Sequence, residues 1–285
     1  MKKFLIFFSL LVILTALLSL ILTLTHKVPI GERVALIRVE GVILDSRDTI
    51  EELKKYSKDP SIKAIVLRVD SPGGGVAPAQ EIYEEIKKIK SKKKVVVSMG
   101  SVAASGGYYI SSPAHKIVAN PGTLTGSLGV IMEIPNLEGL MDKIGIKTEV
   151  IKSGRYKDMV SVFKSMTPEE RKVLQNILDD VHEQFIRAVS EGRDMKIEDI
   201  KKLADGRVFT GRDAKELRLI DELGNLEDAI SLAGRLSGIK GEPVVVSKKE
   251  RFTLLELIGG DFPKNLIKDI QDGFPTIRVK YILMP

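Results

Sequence analysis

The stretch Ser98-Met-Gly-Ser-Val-Ala-Ala-Ser-Gly-Gly-Tyr-Tyr-Ile-Ser-Ser112 decides how the rest of this chain is read. Lys94-Val-Val-Val-Ser-Met99 leads into it, a β-branched run that predicts a buried strand, broken at Gly100. Ala103, Ala104, Ser105, Gly106 and Gly107 are all small, and small residues let one backbone approach another. Tyr108, Tyr109 and Ile110 suit a helix packed on a sheet. The pattern predicts Ser105 at the start of a helix that follows a strand. There its hydroxyl and the Gly106 amide can face one ligand atom, because first-turn N–H groups lack helical partners. A serine among alanines and glycines is more often a plain packing residue, so the neighbouring segments have to decide.

Upstream, residues 33–39 and 63–70 read as strands, with a helix over Asp45 to Lys58 between them. Residues 63–70 are apolar throughout their middle, as in a strand of a parallel sheet buried on both faces. Ser71-Pro-Gly-Gly-Gly75 follows at once. No Gly-Lys-Ser/Thr comes after it, so a phosphate-cradling P-loop is excluded, and no dinucleotide fingerprint is present. An ordinary sharp turn remains, or an oxyanion hole in which a glycine amide approaches a substrate carbonyl. Pro78 to Lys90 is an amphipathic helix with Ile82, Ile86 and Ile89 on one face.

Downstream, Lys116 to Ala119 is a short strand, Asn120-Pro-Gly a turn, and Ser127 stands in Gly-Ser-Leu-Gly. A helix over Asn136 to Ile144 and a strand over 146–151 lead into Lys152-Ser-Gly-Arg-Tyr-Lys157-Asp-Met. Thr167-Pro-Glu-Glu170 is a capping box with proline at the first helical position; its helix is expected to reach about Ser190. Residues 197–204 form a shorter helix, and Thr210 and Asn225 cap two more, each with an aspartate three residues on. Strand–helix alternation gives an α/β fold. Residues 241–285, with Pro243, Pro263, Pro275 and a final apolar strand over 277–284, read as an extension that could pair with a neighbouring protomer.

With 285 residues the chain can bury a full core. Its formal charge of +6 comes from 44 basic and 38 acidic residues interspersed, a solvated surface and not a nucleic-acid stripe. There is no cysteine, which removes disulfides and thiol chemistry. Lys2 and Lys3 precede an uncharged run over residues 4–25, long enough for a helix across a ~30 Å hydrocarbon core. No small-x-small cleavage site follows it. We therefore expect residues 1–28 to form a cytoplasmic tip and a single uncleaved membrane anchor, touching lipid through residues 4–25, with the remaining chain on the extracytoplasmic side. Residues 29–240 are expected to be the main domain.

A nucleophilic serine needs a base. His26 borders the apolar run, His115 lies ten residues after Ser105, and His182 sits mid-helix, so a Ser-His-Asp triad is poorly supported. Position 186 is Ile, which excludes the His-Glu-x-x-His zinc pair. Lysine is the remaining base, usable only when its surroundings keep it neutral. Lys157, set between Ser153-Gly-Arg-Tyr156 and Met159-Val160, has the least ordinary setting.

Five segments then stand together: Asp70-Ser-Pro-Gly-Gly-Gly-Val76, Ser98 to Ile110, Leu124-Thr-Gly-Ser-Leu-Gly-Val-Ile131, Lys152-Ser-Gly-Arg-Tyr-Lys-Asp158 and Ala204-Asp-Gly-Arg-Val-Phe-Thr-Gly-Arg212. In this order, and over roughly residues 30–235, they resemble the signal peptide peptidase A family of membrane-anchored Ser-Lys proteases. The resemblance implies a Clp protease/crotonase-like fold of repeated β-β-α units after the transmembrane helix. It implies Ser105 as nucleophile, Lys157 as general base, Ser127 orienting the lysine, and the Gly74 and Gly106 amides as oxyanion hole. It implies no metal or other cofactor, signal peptides or other hydrophobic peptides as substrates, and a homo-oligomeric ring or dome. In the short form that the chain resembles, serine and lysine come from neighbouring protomers. Asp70 departs from the family, where asparagine is frequent, with no expected effect on the dyad. Three other readings stay open: another membrane-tethered Clp-type protease, a crotonase-type acyl-CoA enzyme that would not need Lys157, and a non-catalytic membrane scaffold.

Overall fold

The computed structural model describes residues 7–17, 32–248 and 280–282. Residues 7–17 are helical, and Phe7, Leu10, Ile13 and Leu14 are exposed. Among the described residues no helix is long and apolar enough to cross a membrane. The remainder of the expected span, residues 4–6 and 18–25, lies outside them.

The main domain is a mixed α/β fold on a mostly parallel sheet. Strands β1 (Arg33–Glu40), β2 (Ile62–Ser71) and β4 (Lys94–Ala104) form its middle, in the order β4-β2-β1 and all parallel. On one side β9 (Val244–Ser247) pairs parallel with β1, so the sheet itself takes in part of the expected 241–285 extension. On the other, β6 (Leu124–Gly126) pairs parallel with the end of β4, and β7 (Val208–Thr210) pairs antiparallel with β6. A branch runs from β4 through β5 (Lys116–Ala119) to β8 (Glu222–Leu223).

Side-chain alternation explains the unbroken apolar runs. Ala35, Ile37, Ile65, Leu67, Val95 and Val97 enter one core, under helices α1 (Arg47–Lys58), α2 (Val76–Lys90), α3 (Gly106–Ser111) and α5 (Pro168–Arg193). Val34, Leu36, Ala64, Val66 and Val96 face a second core against α8 (Leu226–Leu236). With both faces covered, no position on these strands has to be polar. The remaining helices are α4 (Glu138–Lys143), α6 (Ile197–Leu203) and α7 (Gly211–Glu216). All three expected capping boxes form, at Thr167–Glu170, Thr210–Asp213 and Asn225–Asp228.

Three expectations are corrected. β4 does not break at Gly100 but continues to Ala104, with an irregularity where Ser71 comes to face Ala103. Gly100 is needed there because a Cβ would lie 2.5 Å from the Asp70 carboxyl carbon. α5 passes Gly192 and stops at Asp194, in left-handed conformation. Residues 146–151 form no strand: among the described residues no strand pairs with them, and Ile146, Val150 and Ile151 are exposed. Of the expected strand 277–284, residues 280–282 are described; they form β10, which pairs antiparallel with β3 (Gly73–Gly75) of the same chain.

One ion pair locks the base of α3. Asp221 accepts from the Ile117 amide (2.8 Å), Arg193 (2.9 Å) and Lys116 (3.2 Å), while Tyr108 of α3 donates to the neighbouring Leu219 carbonyl (2.7 Å). Burial alone would push the Asp221 carboxyl up, but Arg193, the Ile117 amide and Lys116 outweigh it, so it lies below the ordinary value. A lowered carboxyl adds stability above the unfolded value, ~3.9, and loses it as pH falls through the folded one. Asp221→Asn is expected to cost about 3 kcal/mol at neutral pH by stranding Arg193. It should also flatten the loss of stability below pH ~4, as read by denaturant unfolding across pH.

Candidate active site

β4 ends at Ala104, and Ser105 is the N-cap of α3, as expected. Its backbone is unusual, with φ 53° and ψ −116°. For a non-glycine residue this costs on the order of 1–3 kcal/mol, so neighbouring bonds must hold it. The Ser105 amide donates to the Gly126 carbonyl (2.8 Å), and the Ser105 carbonyl accepts from the Tyr109 amide (2.8 Å). Thr125 Oγ1 donates to the Ala103 carbonyl (2.6 Å) and Thr123 Oγ1 to the Gly100 carbonyl (2.7 Å), fixing the last turn of the strand to β6. Asp70 Oδ1 accepts from the Val102 amide (3.0 Å), and Arg68 Nη1 donates to Ser98 Oγ (2.9 Å) and the Met99 carbonyl (3.0 Å).

Ser105 is 1% exposed, and its hydroxyl has no hydrogen-bond partner among the described residues. An orphaned buried hydroxyl costs about 1–3 kcal/mol, which a site for chemistry can carry and a plain packing residue has no reason to. The next amide, Gly106, lies in the first turn of α3, where no helical carbonyl is available to it.

Ser127 lies beside this point. Ala104 pairs with Gly126, so Ser105 and Ser127 follow directly from neighbouring rungs, and Ser127 too has a positive φ, 51°. Its amide donates to the Arg207 carbonyl (2.8 Å). The Ser127 side opens into a cleft of about 500 Å³ that is also lined by Val130, Asp179, His182 and Asp205. β3 packs on α3 and carries Gly74. Gly75 donates to the Ile43 carbonyl (2.8 Å) and Gly73 accepts from the Ile43 amide (2.8 Å), so a Cβ on Gly74 would sit 2.2 Å from the Ile43 oxygen. Only glycine fits.

The fold thus gathers Ser105, Gly106, Ser127 and Gly74. Among the described residues Lys157 makes no hydrogen bond to the Ser105 hydroxyl; it is exposed on the irregular segment 145–166. The lysines around it are engaged: Lys152 binds Asp158 and Lys164 binds Glu170. The hydrogen bond from Lys152, and then its charge and that of Lys164, hold the Asp158 carboxyl below its ordinary range. Lys157 has no carboxylate partner among the described residues.

The histidines have other work. His115 Nδ1 accepts from the Val95 amide (3.1 Å), and burial, then Lys94 and Lys90, lower its pKa. His182 Nε2 lies 3.3 Å from the Leu128 carbonyl. His26 is outside the described residues. Among those residues no group of three or more His, Asp or Glu is placed to hold a metal ion. Sequence reasoning missed the braces Thr123, Thr125, Arg68 and Asp70; Arg68, Asp70 and Thr125 are polar residues inside strands, and Thr123 directly precedes one.

Peptidase family S49 matches residues 87–240, and Clp protease matches residues 38–121. The chain belongs to peptidase family S49. As an S49 peptidase it is a serine protease built on a Clp protease-like domain. It is 42% identical over 238 residues to a Synechocystis protein that carries a protease name, covering 82% of this chain and 86% of that one. A signal peptide peptidase SppA, so named, of Enterococcus faecium is 37% identical, over 70% of this chain and 62% of its own. Protease 4 of Salmonella typhi is 38% identical over 74% of this chain, but the match spans only 35% of that longer protein.

The Asp70 brace uses one carboxylate oxygen as an acceptor, which an asparagine carbonyl can replace. Asp70→Asn is expected to keep stability and peptide hydrolysis within about twofold, whereas Asp70→Ala, leaving the Val102 amide unpaired, costs about 1–3 kcal/mol. Thermal unfolding of both variants checks this.

Proposed function

We propose that this S49 peptidase is a membrane-anchored endopeptidase whose nucleophile is Ser105 and whose general base is Lys157. One observation carries the reading: a buried serine hydroxyl with no partner among the described residues, on a backbone bent to φ 53°, directly before the first-turn amide of Gly106. Lys157 takes the Ser105 proton, and Oγ attacks the peptide carbonyl carbon. The Gly74 and Gly106 amides stabilise the oxygen as it gains charge. As the C–N bond breaks, the lysine ammonium returns a proton to the leaving amine, and water then hydrolyses the acyl-serine ester. Ser127 Oγ accepts a hydrogen bond from an N–H of the neutral lysine amine, which aims the amine's lone pair at Ser105. Lysine serves as base only when uncharged, against an ordinary value of ~10.4, so the working site must take it out of water.

A second copy of the chain completes the site in this reading. Leu140, Ile144, Ile146, Ile151 and Phe163 are exposed on the segment that carries Lys157, a run of apolar surface that a neighbouring protomer would cover. Docking would bury Lys157 and bring it to a Ser105 of the neighbour. The substrates are hydrophobic peptides, remnant signal peptides foremost, in keeping with the E. faecium relative's name and with an anchor over residues 4–25 that holds the site at the bilayer surface.

Ser105→Ala should abolish hydrolysis of a fluorogenic apolar peptide, and Lys157→Ala should lower kcat by on the order of 10²–10⁴-fold. In the wild type, kcat/KM should rise with pH as the lysine loses its proton, and Lys157→Ala should remove that limb. Full peptide hydrolysis in Lys157→Ala would show that a group other than Lys157 is the base.

A further inference from the structure

We infer that the end of the sheet opposite Ser105 is a docking surface for an acidic phospholipid bilayer, built from the lysines of residues 87–94. The inference rests on the anchor reading above and adds the face that the domain turns to the lipid. Charges are interspersed along most of the chain. Lys87-Lys-Ile-Lys-Ser-Lys-Lys-Lys94 is different: it holds six lysines and no acid, as many charges as the whole formal excess of +6. Lysines in the last turn of a helix are ordinary, because they face the negative end of its dipole. Here the block runs on past the end of α2, through the turn and into the first residue of β4.

The fold gathers more positive charge at the same end. β1, β2 and β4 are parallel, with Arg33 opposite Ile62 and Lys94 opposite Ala64, so all three begin there. α1 and α2 each bring the chain back to that end, and α1 adds Lys55 and Lys58 in its last turn. Some of this charge is engaged. Lys87 pairs with Glu191 (2.8 Å), Lys88 lies 4.0 Å from Glu85, and Lys93 donates to the Asp59 carbonyl (2.9 Å). Glu32, at the entry to β1, is paired with Lys63 (3.7 Å). The side chains of Lys90, Lys92 and Lys94 make no hydrogen bond or ion pair among the described residues, and Lys92 and Lys94 are exposed. Their field is felt at His115, whose pKa is lowered by burial first and then by Lys94 and Lys90.

Where the chain enters the domain selects the partner. Thr25 ends the apolar run, and Glu32 directly precedes β1. The steps between them reach at most about 25 Å. An anchor over residues 4–25 therefore keeps this end of the sheet within that distance of the headgroups. Each lysine close to an anionic leaflet adds about fivefold to binding. A patch of them turns a loose tether into a fixed orientation. β4 then carries Ser105 about 36 Å from the headgroups, within reach of an extended peptide whose other end is still in the lipid.

The test reconstitutes the full chain in vesicles of phosphatidylcholine alone, and of phosphatidylcholine mixed with phosphatidylglycerol. Its amines are labelled with a water-soluble reagent and read lysine by lysine in a mass spectrometer, relative to Lys172 near the start of α5. In mixed vesicles Lys90, Lys92 and Lys94 should label about threefold to tenfold more slowly than in neutral ones. Salt at about 1 M, which cuts the screening length to about 3 Å, should abolish the difference. Replacing all three by Gln should also remove the slowing at Lys55 and Lys58. Equal labelling in both kinds of vesicle overturns the inference, whether the lysines are open in both or covered in both by a second copy. So does slowing by an added oligonucleotide in detergent with none by mixed vesicles, which assigns the patch to nucleic acid. Failure of the anchor reads differently: the chain then leaves neutral vesicles on flotation, while the patch still holds it to mixed ones at low salt. A chain that leaves both overturns the two together.

Discussion

The molecule is arranged around one strained bend. Ser105 stands at φ 53° because the Gly126 carbonyl holds its amide and the Tyr109 amide holds its carbonyl. Neither bond survives a slip of β4 against β6 or a shift of α3. Hence the braces: Thr125 and Thr123 tie the strand end to its neighbour, Asp70 fills the space that Gly100 leaves, and Tyr108 ties α3 to the turn held by Asp221. The doubly covered parallel sheet is the rigid body that makes such strain affordable in a serine protease.

Much of this was legible in the sequence, for identifiable reasons. The β-branched runs at 63–70 and 94–99 could only be strands buried on both faces, and Thr167-Pro-Glu-Glu170 could only open a helix. Ser105 at the strand-to-helix junction, and the Gly106 amide after it, were legible from the small residues around them, whereas Ser127 and Gly74 were singled out through the family resemblance. Gly100 misled, since its lack of a Cβ serves close approach of a carboxyl and not a strand end. The strand expected over 146–151 failed for a different reason: β-branched residues favour an extended chain, but a strand exists only with a partner, and none of the described residues provides one there. The pairing of residues 280–282 with β3 joins points some two hundred residues apart, and no local pattern encodes it.

In our reading a single chain is a gathered but unfinished site. Ser105, Ser127, Gly74 and Gly106 are brought together, while Lys157 is exposed on a stretch with several exposed apolar side chains. Both facts have one cause in our reading: the segment carrying the base is folded to fit another copy. The apolar surface supplies the attraction, and its burial supplies the dehydration that a lysine base requires. Assembly would then be the step that switches the chemistry on, and a lone chain diluted in the membrane would be idle.

The most direct measurement is complementation. Purified Ser105→Ala and Lys157→Ala chains, each inactive alone, are dissociated, mixed, reassociated and assayed on the apolar peptide. Our account predicts that hydrolysis returns in the mixture, because some sites then combine an intact serine from one chain with an intact lysine from another. A mixture as inactive as its parts would contradict it.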